Sequence, residues 1–390
     1  MTPAARHAAA IVVLDRWSEG LPVEQALTGW ARSARYAGSG DRAAVRDHVF
    51  VVLRQRNTCA ALGGGDDGRA LILGLLRVQS IDPTTIFTGE GHAPTPLATH
   101  AAIAPDIPDD PLRDIPAWLH DALTQSLGDD LPGIAIAMRD RAPVYLRVNI
   151  RKSTQDQAIE SLSSSGIAAQ ASPACATAIM VTDGARQIRQ SDPYLAGLVE
   201  PQDLSVQMAV ARIDWPDTGR ILDYCAGGGG KTLAIAARSD GALTAHDANP
   251  RRMADLGPRA ERAGVRVAVA ETATLSRQQP WDVVLCDVPC SGSGIWRRDP
   301  EAKWQLTPEM LADLTATQDS ILSDAARLVA PGGRLIYMTC SLLHMENMDR
   351  IAAFLAGHPD WHCTWHHQDT PLTASDGFFT AELARGQARH

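Results

Sequence analysis

The stretch Ile221-Leu222-Asp223-Tyr224-Cys225-Ala226-Gly227-Gly228-Gly229-Gly230-Lys231-Thr232 decides how this chain of 390 residues folds. Its apolar start reads as a buried strand ending near Asp223. The four glycines make a turn whose backbone can approach a ligand closely. Lys231-Thr232 begins a helix whose first N–H groups are free. Strand, glycine turn and helix in this order suit a nucleotide-like cofactor. Taken alone the signal is weak. Four glycines also describe a loose loop, and the dinucleotide site of a dehydrogenase wants a similar turn.

Working outward, strands are predicted near 220–224, 242–247, 265–270, 282–287 and 333–339, with helices between. That alternation is an α/β pattern: a doubly wound, Rossmann-like parallel sheet spanning 205–390. Acidic residues stand at successive strand ends: Asp223, Asp247, Glu271 and Asp287. Open α/β sheets bind ligands at those ends, where a carboxylate accepts both hydroxyls of a ribose.

Two strand ends also carry cysteine. Asp287-Val288-Pro289-Cys290-Ser291-Gly292 follows Val283-Val284-Leu285-Cys286, and Thr339-Cys340-Ser341 follows Leu335-Ile336-Tyr337-Met338. A parallel sheet places both tips in one crevice, although they lie far apart in the chain. Two thiols at one site point to covalent chemistry with divided roles. Cysteine is also commonly a small buried hydrophobe, which is the expectation for Cys286 inside its strand. Cys286 and Cys290 lack the second pair of a tetrahedral zinc site. The run His362-Cys363-Thr364-Trp365-His366-His367 looks metal-like, yet no metal is expected there.

Hydrophobic content of 45% supports packed cores in two or three domains, filled by aliphatic residues and Ala because aromatics are only 5%. No apolar run is long enough for a membrane span, and the first residues carry charge without the apolar core of a secretory leader. Seven cysteines in open spacing do not form a disulfide framework, so a reducing cytoplasm is the expected location. A net charge of −9 excludes a protein that coats nucleic acid by bulk charge and leaves room for a local basic patch. The only lysines are Lys152, Lys231 and Lys303; every other cation is arginine.

Residues 1–130 read as helical, with apolar helical spacing over 8–14 and 43–54 and an N-cap loop at Gly38-Ser39-Gly40-Asp41. The Pro-rich stretch 93–116 reads as a linker or long loop. Pro143-Val144-Tyr145-Leu146-Arg147-Val148-Asn149 alternates as a strand, 153–166 fits a helix, and 175–181 and 196–200 supply short strands of a small α/β subdomain over 131–204. Arg147 and Asn149, lone polar residues on the first strand, are expected to be exposed.

These residues resemble the Sun/Fmu-type RNA (cytosine-5)-methyltransferases, a family that uses S-adenosylmethionine. The likeness is densest from Gln202-Asp203 to Phe378-Phe379 and fainter before it. Besides the glycine turn and the cysteine tips, it is carried by Ser291-Gly292-Ser293-Gly294, by Arg297-Arg298-Asp299-Pro300-Glu301-Ala302-Lys303-Trp304 and by Gln318. Pro331-Gly332-Gly333, Glu346-Asn347 and Asp376-Gly377-Phe378-Phe379 complete the series.

The resemblance implies a helical NusB-like RNA-binding domain over 1–130 and an RNA-recognition-like subdomain over 131–204. A Rossmann-like S-adenosylmethionine-dependent methyltransferase domain follows over 205–390. It implies methylation of carbon 5 of a cytosine in RNA, with 16S ribosomal RNA, before or during small-subunit assembly, as the expected partner and no membrane involved. By resemblance, Cys340 attacks the base and Cys290 helps release it. Asp287 closes the cofactor site and meets the base edge, and Lys231 contacts the base or steadies a thiolate. Cys225, Ala226, Gly227, Gly228, Gly229, Gly230 and Lys231 wrap the methionine part of the cofactor, Asp247 holds its ribose and Glu271 its adenine. Arg297, Arg298 and Lys303 form the candidate phosphate patch. Alternatives stay open: the same chemistry on transfer RNA, or a non-catalytic RNA-binding assembly factor. The family usually reads Ala-Pro-Gly-Gly-Lys where this chain has Gly227-Gly228-Gly229-Gly230-Lys231, and Asp where it has Glu271. His344-Met345 is a further local departure from the family's usual Pro-Glu.

Overall fold

The computed structural model describes residues 1–99 and 103–386, which cluster into two compact units. The first comprises Met1–Thr124, Gly128–Arg141 and Trp296–Gln305. The second comprises Gln125–Leu127, Ala142–Ile295 and Leu306–His390.

The first unit is helical and begins with α1 (Pro3–Ser18), α2 (Val23–Ser33), α3 (Ser39–Arg54), α4 (Arg56–Gly63) and α5 (Gly68–Val78). Thr2 caps α1 by accepting the Ala5 N–H, with Pro3 in the first turn. The predicted N-cap loop resolves into a cap at Gly38, with Ser39-Gly40-Asp41 already helical and the Asp41 carboxylate taking the Gly38 N–H. Val13, Leu14, Val49, Leu53, Leu71 and Leu75 are fully buried in the core among these helices. Truncating one such leucine to alanine costs about 2–5 kcal/mol. The described residues of 93–116 contain neither α-helix nor strand, as expected of a long loop.

The second unit holds two sheets. The small one is antiparallel, built from β1 (Val144–Val148), β2 (Ala169–Ala171), β3 (Ala178–Val181) and β4 (Val199–Pro201) in the order β2-β3-β1-β4. Leu146 and Val148 pack with Ala158 and Leu162 of the helix Gln155–Ser164. The expectation that Arg147 and Asn149 are exposed is wrong: they are 5% and 6% exposed. Arg147 donates to the Leu233 carbonyl at 3.3 Å, and Asn149 donates to the Gly197 and Ala263 carbonyls at 3.1 and 2.8 Å. Their face of β1 is covered by helical segments of the large sheet's layer, so a period-2 polar position meets carbonyls instead of water.

The large sheet contains β5 (Arg220–Asp223), β6 (Ala242–Ala245), β7 (Ala268–Val269), β8 (Trp281–Asp287), β9 (Val329–Thr339), β10 (Trp361–Asp369) and β11 (Phe378–Arg385). Its order is β10-β11-β9-β8-β5-β6-β7, with β5 to β9 parallel. The chain runs from β5 outward to β6 and β7, then returns to β8 and β9 on the other side. The crevice between the carboxyl ends of β5 and β8 is therefore the switch point where such sheets bind ligands. β9 starts at Val329, earlier than predicted. Its pairing with β8 jumps from Trp281↔Val329 to Val283↔Arg334, so Pro331-Gly332-Gly333 forms an irregularity within the strand.

The sequence reading missed β10 and β11, an antiparallel extension paired to β9 through β11. β10 is an edge strand in which exposed and partly buried residues alternate. That alternation explains the metal-like run at 362–367. Among the described residues no group of His, Cys, Asp or Glu could hold a metal ion.

Candidate active site

The glycine turn joins β5 to the helix Gly230–Ala236. Gly229 sits at φ +82°, and a Cβ there would lie 2.3 Å from Leu256 Cδ1, so only glycine fits. Gly227, at φ +51°, donates its N–H to Asp247 Oδ2 at 3.0 Å. Asp247 lies two residues past β6, is 4% exposed, and accepts the Asn249 N–H through Oδ1 at 2.9 Å. These two bonds leave free lone pairs on both oxygens, as ribose hydroxyls require. Arg252 stands 3.5 Å from the same carboxylate.

Asp223, at the end of β5, is fully buried. Its Oδ2 accepts from Thr232 Oγ1 at 2.6 Å, while Oδ1 has no partner. Burial raises this carboxyl to about 7; the Thr232 bond opposes the rise and the Asp287 charge adds to it. An unpaired buried oxygen, a left-handed glycine turn and an Asp247 with spare acceptor sites fit a cofactor bearing an amine and a ribose. Ala226 is buried in the turn, and Cys225 is half-buried with its thiol pushed up, first by burial, as befits an unreactive residue. Glu271 lies at the start of the short helix Thr272–Leu275 with its side chain exposed.

Gly228, where the family has proline, has its carbonyl bound by the Arg259 guanidinium, which also pairs with Glu200 at 3.1 Å. The helix Leu256–Ala263 thus braces a turn that lacks the stiffening of a proline. Neither Arg252 nor Arg259 belongs to a motif that singles it out in the sequence.

β8 and β9 are parallel neighbours with Asp287 opposite Met338, and their tips converge. Cys290 Sγ lies 3.3 Å from Cys340 Sγ. Lys231 Nζ lies 2.5 Å from Asp287 Oδ2 and 5.2 Å from the centre of the Phe378 ring. Burial works against the Lys231 charge, but Asp287 and, more weakly, the Cys340 sulfur outweigh it, leaving its pKa above the ordinary lysine value. The Cys290 thiol is held well above its usual value, first by its hydrogen bond to Cys340, then by burial and the charges of Cys340 and Glu346. Either sulfur of the pair can be the hydrogen-bond donor. Cys286 is wholly buried in β8 with its thiol pushed far up, first by burial, in line with a structural role.

The phosphate patch needs correction. Lys303, in the first unit, is 2% exposed; its Nζ donates to the Arg54 carbonyl at 3.1 Å beside the Trp304 ring. Burial lowers it to about 7. The basic run reads as a surface signal because its arginines do reach the surface: Arg298 is exposed and Arg297 partly so. Among the described residues no helix is long and apolar enough to cross a membrane.

This arrangement of a parallel sheet, a strand-end cofactor crevice and an adjoining thiol pair defines the class of S-adenosylmethionine-dependent methyltransferases. Residues 211–384 match the family described as 16S rRNA methyltransferase RsmB/F, and residues 115–187 match its RsmF/B-like, ferredoxin-like domain. The chain is 32% identical over 288 residues to ribosomal RNA small subunit methyltransferase B of Klebsiella pneumoniae, covering 69% of this chain and 66% of that protein. It is 33% identical over 251 residues to the protein of the same name from Xylella fastidiosa, covering 63% and 58%. Each match thus spans less than two thirds of the relative's length. The crystal structure of PH0851 shares the fold across 98% of this chain and 99% of its own, with a TM-score of 0.75 at 21% identity. The chain belongs to the Sun/Fmu-type RsmB/F methyltransferase family, whose cofactor is S-adenosylmethionine.

Proposed function

We propose that this chain methylates carbon 5 of a cytosine in RNA, with 16S ribosomal RNA as the substrate, through a covalent bond from Cys340 to the base. The observation that carries the reading is the 3.3 Å separation of the Cys290 and Cys340 sulfurs beside the Lys231–Asp287 pair. Free thiols are required, which fits a reducing, cytoplasmic setting.

Carbon 5 of cytosine is a poor nucleophile. Addition of the Cys340 thiolate to carbon 6 breaks the ring's aromaticity and gives carbon 5 enamine character. Asp287 hydrogen-bonds the N3/N4 edge and stabilises the protonated adduct, with Lys231 holding that carboxylate in place. S-adenosylmethionine supplies, when bound, an electrophilic methyl group. It would rest on the turn from Cys225 to Lys231, with Asp247 on its ribose and Glu271 toward its adenine. During attack Cys290 passes its own proton to N3 of the base, and for release its thiolate takes the carbon 5 proton, so the N3 proton is the one left over. The freed electron pair re-forms the 5,6 double bond and expels the Cys340 sulfur. Methylation converts carbon 5–hydrogen to carbon 5–methyl, so each cycle ends with one proton passed to solvent.

Bisulfite sequencing of RNA from cells with and without the gene tests the reading. A 16S ribosomal RNA cytosine protected only when the gene is present is the expected result. Protection confined to transfer RNA would move the substrate, and none in any RNA would sink the catalytic reading.

A further inference from the structure

The two cysteine tips are tied together beneath the thiols by one carboxylate, that of Glu346. Glu346 is fully buried in a short turn after β9. Its Oε1 accepts the Ser291 N–H at 2.8 Å and Gln318 Nε2 at 3.1 Å. Its Oε2 accepts the hydroxyls of both Ser291 and Ser341 at 2.5 Å. Ser291 and Ser341 are the residues immediately after Cys290 and Cys340. Gln318 also donates to the Pro289 carbonyl at 2.9 Å, one residue before Cys290. Four donors on one buried anion form a satisfied network, strong in a low-dielectric site and costly to break in part.

We propose that Glu346 is a positioning residue for the thiol pair: its carboxylate grips both serines, fixes the separation of Cys290 and Cys340, and places its charge beside Cys290. The inference rests on the covalent reading above. Its consequence is a bias in where the shared proton resides. A fixed anion near Cys290 opposes its ionisation, so the proton stays on Cys290 and Cys340 is left as the attacking thiolate. The other titratable groups around the pair are the Tyr337 hydroxyl, which donates to the Glu346 carbonyl at 2.7 Å, the Arg350–Asp319 ion pair, and Lys231 with its partner Asp287. Among these, Glu346 alone touches both tips.

The test reads the thiol directly. In a Cys340→Ala background, the pH of half-maximal Cys290 alkylation by iodoacetamide is measured by mass spectrometry, with and without Glu346→Gln. Gln keeps the shape and removes the charge, so the midpoint is expected to fall by about one pH unit or more. Ser341→Ala in the otherwise intact protein keeps the charge and loosens one tip. It is expected to lower kcat several-fold with KM for RNA unchanged. An unmoved midpoint in folded Glu346→Gln protein overturns the proposal; if that variant does not fold, wild-type kcat in Ser341→Ala overturns it instead. Alkylation needs neither RNA nor cofactor. A shifted midpoint in a protein that methylates no RNA therefore rejects the methyltransferase reading while supporting the role of Glu346, and normal methylation with no shift does the reverse.

Discussion

The ammonium of Lys231 and the carboxylate of Asp287 meet at 2.5 Å, joining the helix that follows the cofactor turn to the strand that carries Cys290. Two halves of the site, read from the sequence as separate motifs, are thereby one unit. Because Asp287 keeps the Lys231 charge in place, Lys231→Met should leave Asp287 without its cation and lower kcat on the order of 10²-fold. Methylation rates at saturating RNA and cofactor check this. A loss smaller than about threefold would reduce the pair to a structural tie.

Cofactor affinity should depend on Asp247. Asp247→Ala removes the proposed ribose acceptor and also the acceptor for the Gly227 N–H. Titration calorimetry with S-adenosylhomocysteine should show binding weakened by about 10-fold or more, the scale of a hydrogen bond to a charged group. Unchanged affinity would place the ribose elsewhere.

Asp223 should make stability fall as pH rises. Its carboxyl titrates at about 7 in the folded state against 3.8 as an ordinary aspartate. Between those values the folded chain keeps a proton that the unfolded chain has released, so stability drops through that window and levels off above it. Asp223→Asn has no such proton, so its advantage over the parent should grow from about pH 4 to about pH 7. Urea unfolding across that range measures the difference. Parallel curves would show that Asp223 is ionised in the fold.

Much of this was legible from the chain because the signals are local. The glycine turn, the acidic strand ends and the two cysteine tips follow apolar runs that only a buried parallel sheet explains. Arg147, Asn149 and Lys303 were misread for the opposite reason: polar residues on an alternating strand or beside arginines look solvated until distant segments supply the carbonyls that bury them. β10 and β11 escaped notice because the antiparallel extension leaves one edge strand with alternating polar residues. Glu346 was visible as part of a motif, but its role depends on two serines far from each other in the chain.

Lys303 and Arg298 should now separate in behaviour. Arg298→Ala should weaken RNA binding and flatten its salt dependence by about one unit of log–log slope for each phosphate the arginine neutralises. Lys303→Met should leave that slope alone and change stability instead. Lys303 titrates at about 7 in the fold against an ordinary 10.5. Between those values the unfolded chain holds a proton that the folded chain has released, so stability rises with pH there. That rise should vanish in Lys303→Met. A reduced RNA salt slope in Lys303→Met would return this lysine to the binding surface.

The division of labour between the two thiols is the central claim, and denaturing electrophoresis of protein incubated with RNA and S-adenosylmethionine tests it most directly. Cys290→Ala keeps the sulfur proposed to attack and loses the group proposed to assist release. It should accumulate a protein–RNA band that survives denaturation, requires the cofactor, and disappears in the Cys290→Ala/Cys340→Ala double variant. Cys340→Ala should give neither band nor methylation. A band with Cys340→Ala and none with Cys290→Ala would mean that the roles are reversed, and full methylation by both single variants would contradict the covalent mechanism itself.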